Sequence, residues 1–465
     1  MGGPGQWRDA CGHAAGGSSP PGPVRADGRP GAPPRERLRA VAPVVTGVLL
    51  AAVCGCGPGG SDDGADRERA EIQRVLERQA SAVRGGHESR YLAEVDPHAG
   101  RYRAAQREVF DNLQRLRLTQ WTYQTSELRD TGATGATEAG GGQDGGSRVE
   151  AQVRLRYRLR GDDRAPVTAT ERLAFVERGG RWYVSAELPG SEVQLWEQGE
   201  IAVVRGDHSS VLGVGRSREE LRRLAQDADR AVSQVDEVWT RPWPDRVVVE
   251  APASLRRMAQ LLDAPASSYE GIAAVTTGEA GESVNAPADR IVVNPEAYGE
   301  LSEEGRQVVV THETVHVATR THTGPLTPMW LSEGLADWIG YRGTGRTPRS
   351  AAAELARAAA AGKLPRELPS DREFEFGNDP EALGRAYEGG WLACRFIAEE
   401  WGGERLLDFY LRVGDSAGPG DSAGSGSARP KEERARVDRA MRAELGLTLR
   451  EFTERWRSYV RDELS

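Results

Sequence analysis

The sequence predicts an α+β protein in which two helices and an antiparallel sheet precede a larger, mostly helical domain with a small sheet. Two patterns indicate this. Apolar and charged residues alternate over residues 151–159, as in a half-buried strand. Apolar residues recur at helical spacing over residues 72–83 and again over 221–239. A length of 465 residues is typical of two or three such domains.

Composition excludes several classes of protein. The chain has 61 Lys and Arg against 70 Asp and Glu, a formal net charge of −9, and no basic block interleaved with aromatic residues. Because nucleic-acid binding depends largely on neutralising phosphates, we expect no nucleic-acid partner. The four cysteines have no spacing that suits a disulfide framework or a four-thiolate zinc site.

Residues 1–55 are typical of an export signal behind a Pro/Gly-rich preface. Three arginines at positions 35, 37 and 39 precede an apolar run over 41–53. As a helix this run would rise about 20 Å, which is short of the ~30 Å hydrocarbon core. The segment Val53-Cys54-Gly55-Cys56 resembles a bacterial lipobox, which implies a lipid on Cys56 and an anchor at the outer face of the plasma membrane. Lipidation of Cys54 and an ordinary cleaved secretory signal are the alternatives, and residues 56–66 are expected to be a flexible tether.

The first predicted domain covers residues 67–200. Helices are expected around 72–83 and 102–116, strands at 117–129, 151–159, 167–176 and 181–186, and a turn at Gly179-Gly180. The Gly-rich stretch 131–146 is interpreted as a hairpin loop. Two helices followed by an antiparallel sheet resemble the nuclear-transport-factor-like domains, which implies a cone-like fold.

The second predicted domain covers residues 217–465, after a boundary at 200–216. Ser217 and Glu220 form a capping-box pattern at the start of a long apolar stripe. Short strands are expected at 246–250, 271–276 and 289–294, with helices following. A Gly/Ser linker at 415–429 precedes two C-terminal helices.

The candidate metal-binding and catalytic residues begin with the segment His312-Glu313-Thr314-Val315-His316. On a helix the two histidines stand one turn apart on the same face, so both imidazoles can bind one metal ion. Glu313 lies beside them without binding the metal and can take a proton from a water that the metal activates. The alternative is an amphipathic helix with surface histidines.

A second segment, residues 330–338, supplies the missing ligand. Zinc hydrolases use three protein ligands, and Glu333 suits the third position, while Asp337 one turn later can accept a hydrogen bond from His312. Together the two segments resemble the gluzincins of the peptidase MA clan, which include thermolysin and the leukotriene-hydrolase-type aminopeptidases. The resemblance covers residues 217–465 and implies a zincin-like fold, a Zn²⁺ cofactor and hydrolysis of peptide bonds.

Two further residues bear on this site. His322 follows His316 by six residues, the spacing of the third ligand in metzincins, but Thr319 stands where those proteins usually turn the chain with glycine. The segment Tyr387-Glu388-Gly389-Gly390 resembles the Tyr-x-x-Gly segment of the clan's aminopeptidases, which implies that Tyr387 stabilises the oxyanion. A core tyrosine is the alternative.

One departure from the aminopeptidases favours an endopeptidase. The chain has no Gly-x-Met-Glu-Asn segment with which those enzymes hold a free amino terminus. A peptide or protein substrate is expected to pair with the strand Arg290–Val293 by strand addition. Cys394 is expected to be a core residue. The rival hypothesis is a lipid-anchored binding module or an inactive peptidase-like protein.

Overall fold

The computed structural model describes residues 62–130, 146–278, 286–375, 379–414 and 429–465. Residues 69–465 belong to one compact unit. The predicted signal peptide, both candidate lipidation sites, most of the Gly-rich loop and most of the C-terminal linker lie outside the described residues. The α+β class is confirmed, because an antiparallel sheet is followed by a mostly helical region with a small mixed sheet.

Three helices open the described chain. They are α1 (Asp62–Gly85), α2 (Glu88–Leu92) and α3 (Gly100–Arg115). The apolar positions of α1 from Ile72 to Val83 are buried, as their spacing predicts. The helix begins at Asp62, within the segment that the sequence assigns to a tether.

Four strands form the first sheet. They are β1 (Leu118–Asp130), β2 (Arg148–Leu159), β3 (Val167–Arg178) and β4 (Arg181–Glu187), paired antiparallel in chain order. Gly179 and Gly180 join β3 to β4 with φ angles of 58° and 76°, which glycine adopts without steric cost. One face, the inner face, packs against α1 and α3 and carries the predicted apolar alternation.

Five strands form the second sheet, in the spatial order β5-β6-β7-β9-β8. They are β5 (Ile201–Arg205), β6 (Ser209–Val214), β7 (Val247–Ala251), β8 (Ala274–Thr276) and β9 (Arg290–Val293). Strands β6, β7 and β9 are parallel, and the two edge strands are antiparallel to their neighbours. Residues 201–214, which the sequence leaves between its two predicted domains, thus supply two strands of this sheet.

The prediction that a substrate pairs with strand β9 is wrong. Strand β9 is hydrogen-bonded to β7 on one side and to β8 on the other, so its backbone is already paired. The short strand β8 folds back antiparallel over β9 and becomes the edge of the sheet. Any peptide added at this edge would therefore pair with β8.

Helices cover and extend the second sheet. The long helix α4 begins with the predicted capping box, in which Ser217 and Glu220 bond each other's backbone. Within the described ranges, no helix combines the length and the apolar composition needed to span a membrane. The helices are α4 (Arg218–Asp236), α5 (Leu255–Leu261), α6 (Pro295–Glu300), α7 (Glu303–Thr319), α8 (Met329–Gly340), α9 (Pro348–Ala351), α10 (Ala353–Ala360), α11 (Pro380–Trp401), α12 (Gly403–Gly414), α13 (Arg429–Glu444) and α14 (Leu449–Leu464).

A buried ion pair ties the two sheets together. The Arg290 guanidinium, on β9, donates two hydrogen bonds to the Asp163 carboxylate in the β2–β3 turn, at 2.9 and 3.2 Å. Both side chains are buried, so the paired geometry offsets the cost of removing two charges from water. The contact fixes β9 shortly before the chain enters α7.

Candidate metal centre

Helix α7 carries the two histidines. Its first turn is fixed by Ser302, whose hydroxyl accepts a hydrogen bond from the Gly305 amide. The residues from Val308 to Val315 are buried, so this is a core helix, not an amphipathic helix with a solvent-facing histidine side. The 3.6-residue period then places His312 and His316 one turn apart on the same face.

Helix α8 presents two carboxylates to that face. It begins after Pro328 and is buried over most of its length. Glu333 and Asp337 lie one turn apart and both contact His312. A close approach of α8 to α11 holds it in place, because a Cβ at Gly334 would stand 2.3 Å from the Gly390 carbonyl oxygen. Only glycine permits this separation.

Three ligating atoms converge at one point. His312 Nε2 lies 3.1 Å from His316 Nε2 and 3.1 Å from Glu333 Oε2, and His316 Nε2 lies 3.3 Å from that same oxygen. Ligands about 2.0–2.1 Å from a tetrahedral zinc ion stand about 3.3–3.4 Å from one another. The edges of the triangle are within about 0.3 Å of the values for one tetrahedral ion. These residues, called the metal centre below, form a buried group able to hold a metal ion.

The charge distribution orients the His312 ring. Its Nδ1 lies 2.8 Å from Asp337 Oδ1, the hydrogen bond that the sequence predicts. With the Nδ1 proton held by Asp337, the Nε2 lone pair points at the centre of the triangle. Burial favours the neutral imidazole, but the carboxylates of Asp337 and Glu333 outweigh it and raise the pKa of His312 well above its usual value. The two histidines in turn overcome burial and lower the pKa of Glu333.

Glu313 is held by a residue that the sequence does not single out. The Thr276 hydroxyl, at the end of β8, donates a hydrogen bond of 2.6 Å to Glu313 Oε2. Glu313 therefore lies between the metal centre and the edge strand, with its second carboxylate oxygen not engaged by Thr276. No local pattern could reveal this contact, because 37 residues separate the two positions.

Tyr387 faces the same cavity from α11. The cavity, of about 410 Å³, is also lined by the metal centre, Glu313 and β8. The ring centroids of Tyr387 and His312 lie 6.3 Å apart. The Phe374 ring packs edge-to-face with the Tyr387 ring, and their centroids lie 5.1 Å apart. Tyr387 is half-buried at the cavity wall, unlike the fully enclosed tyrosines of the core.

His322 lies apart from this group. It is the last residue of a short 3₁₀ turn, and its ring centroid stands 5.6 Å from that of Trp239. It lines a different surface cleft, beside Arg241 and Arg405. The metzincin alternative is therefore not the arrangement that the described residues adopt. Cys394 is fully buried against α8, as expected of a core residue.

No protein-family model matches the chain, and no curated protein matches it. The described geometry brings Tyr387, Asp337 and Glu313 to the cavity of the metal centre, adds Thr276, and leaves His322 outside it. A functional assignment therefore depends on what these side chains can do together.

Proposed function

We propose that this chain is a zinc-dependent peptidase of the gluzincin type, acting on peptide bonds within peptides or proteins. The observation that carries the proposal is the triangle formed by His312, His316 and Glu333, with Glu313 beside it, at a cavity that a sheet edge borders. A purely structural metal site has no need for such a carboxylate or for an open cavity.

The donor set fits zinc. Two imidazole nitrogens and one carboxylate oxygen leave a fourth tetrahedral position open, as in catalytic zinc sites. Structural zinc sites are usually closed by four protein ligands. The edge lengths of 3.1–3.3 Å and the hydrogen bond from His312 to Asp337 support this choice.

The edge strand β8 supports a peptide substrate. Its residues Ala274–Thr276 line the cavity, and none of the described strands pairs with its outer side. An extended peptide added to this edge would run past the metal centre with its backbone in register. Apolar side chains around the cavity, including Met329 and Leu383, would receive substrate side chains. A substrate chain extending beyond the cavity at both ends corresponds to an endopeptidase.

The roles of the chain's own residues follow from their positions. A bound zinc ion would polarise the scissile carbonyl and lower the pKa of water to about 7. Glu313 accepts the proton of the attacking water and delivers it to the leaving amine nitrogen. Thr276 keeps one carboxylate oxygen of Glu313 fixed. The Tyr387 hydroxyl donates a hydrogen bond to the carbonyl oxygen as negative charge develops there.

The proposed site of action is the outer face of the plasma membrane. Support comes from the basic and apolar stretch before Cys56, the residue proposed to carry a lipid. The membrane would then be a partner through the anchor alone, and substrates would be extracytoplasmic. Mass spectrometry of the protein purified from membranes tests this, because an acylated amino-terminal Cys56 is expected.

Metal content tests the proposal as a whole. Elemental analysis of the purified chain is expected to give about one zinc per chain, with zinc lost in Glu333→Ala and kept in the matched control His322→Ala. The zinc-loaded protein is then expected to cleave members of a peptide library. A folded wild type that takes up no zinc would contradict the proposal. Zinc binding without cleavage of any peptide would favour the binding-module hypothesis.

A further inference from the structure

The inner face of the first sheet contains a buried carboxyl group in a row of apolar residues. Along β3, alternate residues face inward, and they pair across β2 with Leu155, Val153 and Ala151. The residue opposite Val153 is Glu171, with Ala169 and Leu173 as its neighbours on the same face. Glu171 is 8% exposed. The alternation of inward-facing residues along β3 predicts an apolar residue at this position.

Nothing in the described chain compensates this carboxyl group. Among the described residues, none forms a hydrogen bond or an ion pair with the Glu171 side chain, and the charged groups that act on it are the carboxyls of Glu197 and Glu187. Burying an unpaired carboxyl group destabilises the folded protein or forces the group to hold a proton. An apolar residue would fit the row at no such cost, so the fold does not require Glu171.

Two further carboxyls complete an acidic cluster with Glu171. Glu187 lies on β4 opposite Leu173, and Glu197 closes the 3₁₀ turn Leu195–Glu197. Both are half-buried, so solvent reaches the cluster from their side. Burial and their mutual repulsion raise the pKa of Glu171 and raise that of Glu197 to about 8.

Two tyrosines pack on the same inner face. Tyr102 of α3 and Tyr123 of β1 are half-buried and contact the core cluster that contains Val153 and Leu173, the inner-face neighbours of Glu171. Burial, followed by the charge of Glu171, raises the pKa of Tyr123. Aromatic faces and carboxylates are the two kinds of group that attract organic cations.

We propose that the acidic cluster of Glu171, Glu187 and Glu197, with the rings of Tyr102 and Tyr123, binds a small organic ammonium ion. A metal ion is not the expected occupant. Among the described residues, the three carboxyls are not close enough together to form a metal-binding group, whereas the ligating atoms of the metal centre are. An ammonium group on an organic body is larger, and it can reach separated carboxylates while its carbon atoms contact the tyrosine rings.

Titration calorimetry with the purified chain tests this site. The probes are tetramethylammonium and ethylammonium chloride, with sodium chloride at equal ionic strength as the reference. We expect saturable binding of at least one ammonium salt, weakened at least tenfold by the isosteric variant Glu171→Gln. The control variant Glu127→Gln removes one charge from an exposed position of β1 on the same sheet and should bind as the wild type does.

Thermal unfolding gives a second, independent outcome. Because Glu171 lacks a partner, Glu171→Leu is expected to raise the Tm while abolishing binding. A lower Tm in Glu171→Leu would show that the carboxyl is structural and would overturn the proposal. Equal binding of ammonium salts by the wild type and Glu171→Gln, or no binding beyond the sodium reference, would also overturn it.

Discussion

Two buried groups of ionisable side chains lie in this molecule, and they differ in how their charges are balanced. At the metal centre, two imidazoles alternate with carboxylates, and every ring nitrogen of His312 has a partner. In the acidic cluster of the first sheet, all three side chains are carboxyls, and among the described residues no cationic group acts on Glu171. The first arrangement combines imidazoles with carboxylates, whereas the second consists of carboxyls alone.

Because of this difference, the two regions are expected to select different ligands. Convergent lone pairs on rigid core helices select a small ion at one point, with tolerances of a few tenths of an ångström. Separated carboxyls and tyrosine rings on a sheet face accept a larger cation at several points. Variants that affect one region and leave the other intact should therefore separate the two functions.

The largest effect is expected from Glu313→Gln. The amide keeps the shape of the side chain but cannot accept the proton of the attacking water, so peptide hydrolysis should fall about 10²–10⁴-fold. Zinc content should remain at the wild-type level, since Glu313 is not among the ligating residues. Hydrolysis of a fluorogenic peptide, alongside elemental analysis, provides the measurement. Activity close to that of the wild type would remove Glu313 from the mechanism.

A smaller effect is expected from Asp337→Asn. The substitution keeps a hydrogen-bond acceptor near His312 Nδ1 but removes the negative charge that makes the ring a stronger ligand. Zinc affinity should fall about 10–100-fold, measured by competition with a chelating dye. Ammonium binding at the acidic cluster should be unchanged. An unaltered zinc affinity would mean that Asp337 only fills space.

The hydroxyl of Thr276 is expected to contribute about tenfold to kcat, which corresponds to the lower end of the roughly 1.5–3 kcal/mol that a hydrogen bond to a charged group contributes. Thr276→Val should lower kcat with little change in KM, and Thr276→Ser should restore it. Steady-state kinetics of both variants gives the comparison. If serine fails to rescue the loss, the methyl group and not the hydroxyl is what matters.

The smallest effect concerns the pH dependence of stability. The pKa of Glu197 is raised to about 8 in the folded protein, so the folded state holds this proton more tightly than the unfolded state does. The stability that Glu197 contributes is therefore complete below about pH 4.5 and is lost as the pH rises through about 8. Because the side chain is half-buried, we expect a change of about 1 kcal/mol.

Glu197→Gln isolates that contribution. Urea unfolding of wild type and variant between pH 5 and pH 9 should show their difference in unfolding free energy shifting in favour of the variant at high pH. Glu127→Gln, at the exposed β1 position, should show no such shift. A pH-independent difference between wild type and Glu197→Gln would mean that the carboxyl titrates normally.

Local patterns predicted much of this structure. The helix bearing His312 and His316 is fixed by its cap at Ser302 and by a 3.6-residue period, both of which involve near neighbours in sequence. The four strands of the first sheet follow from alternation and from the Gly179-Gly180 turn. The three candidate ligands could be named for the same reason, because each pair of functional residues on α7 and on α8 is one helical turn apart.

Pairing between distant segments was not predictable in this way. Strands β5 and β6 lie where the sequence offers a domain boundary, and β9 proved to be an interior strand because β8 folds over it. The contact of Thr276 with Glu313 depends on that same fold-back. The burial of Glu171 depends on helices and strands from several parts of the chain closing around it.

Patterns over a few residues are sufficient to predict the long helices α1, α3, α4, α7 and α8, the strands of the first sheet and the residue types able to bind a metal ion. These features depend on hydrophobic period, capping and ligand chemistry between near neighbours in sequence. Tertiary contacts, in contrast, keep His322 away from the two histidines and join Thr276 to Glu313. They also leave the Glu171 carboxyl without a hydrogen-bonding or ionic partner among the described residues. These features arise from contacts between segments far apart in the chain, whose positions only the packing of the whole core fixes.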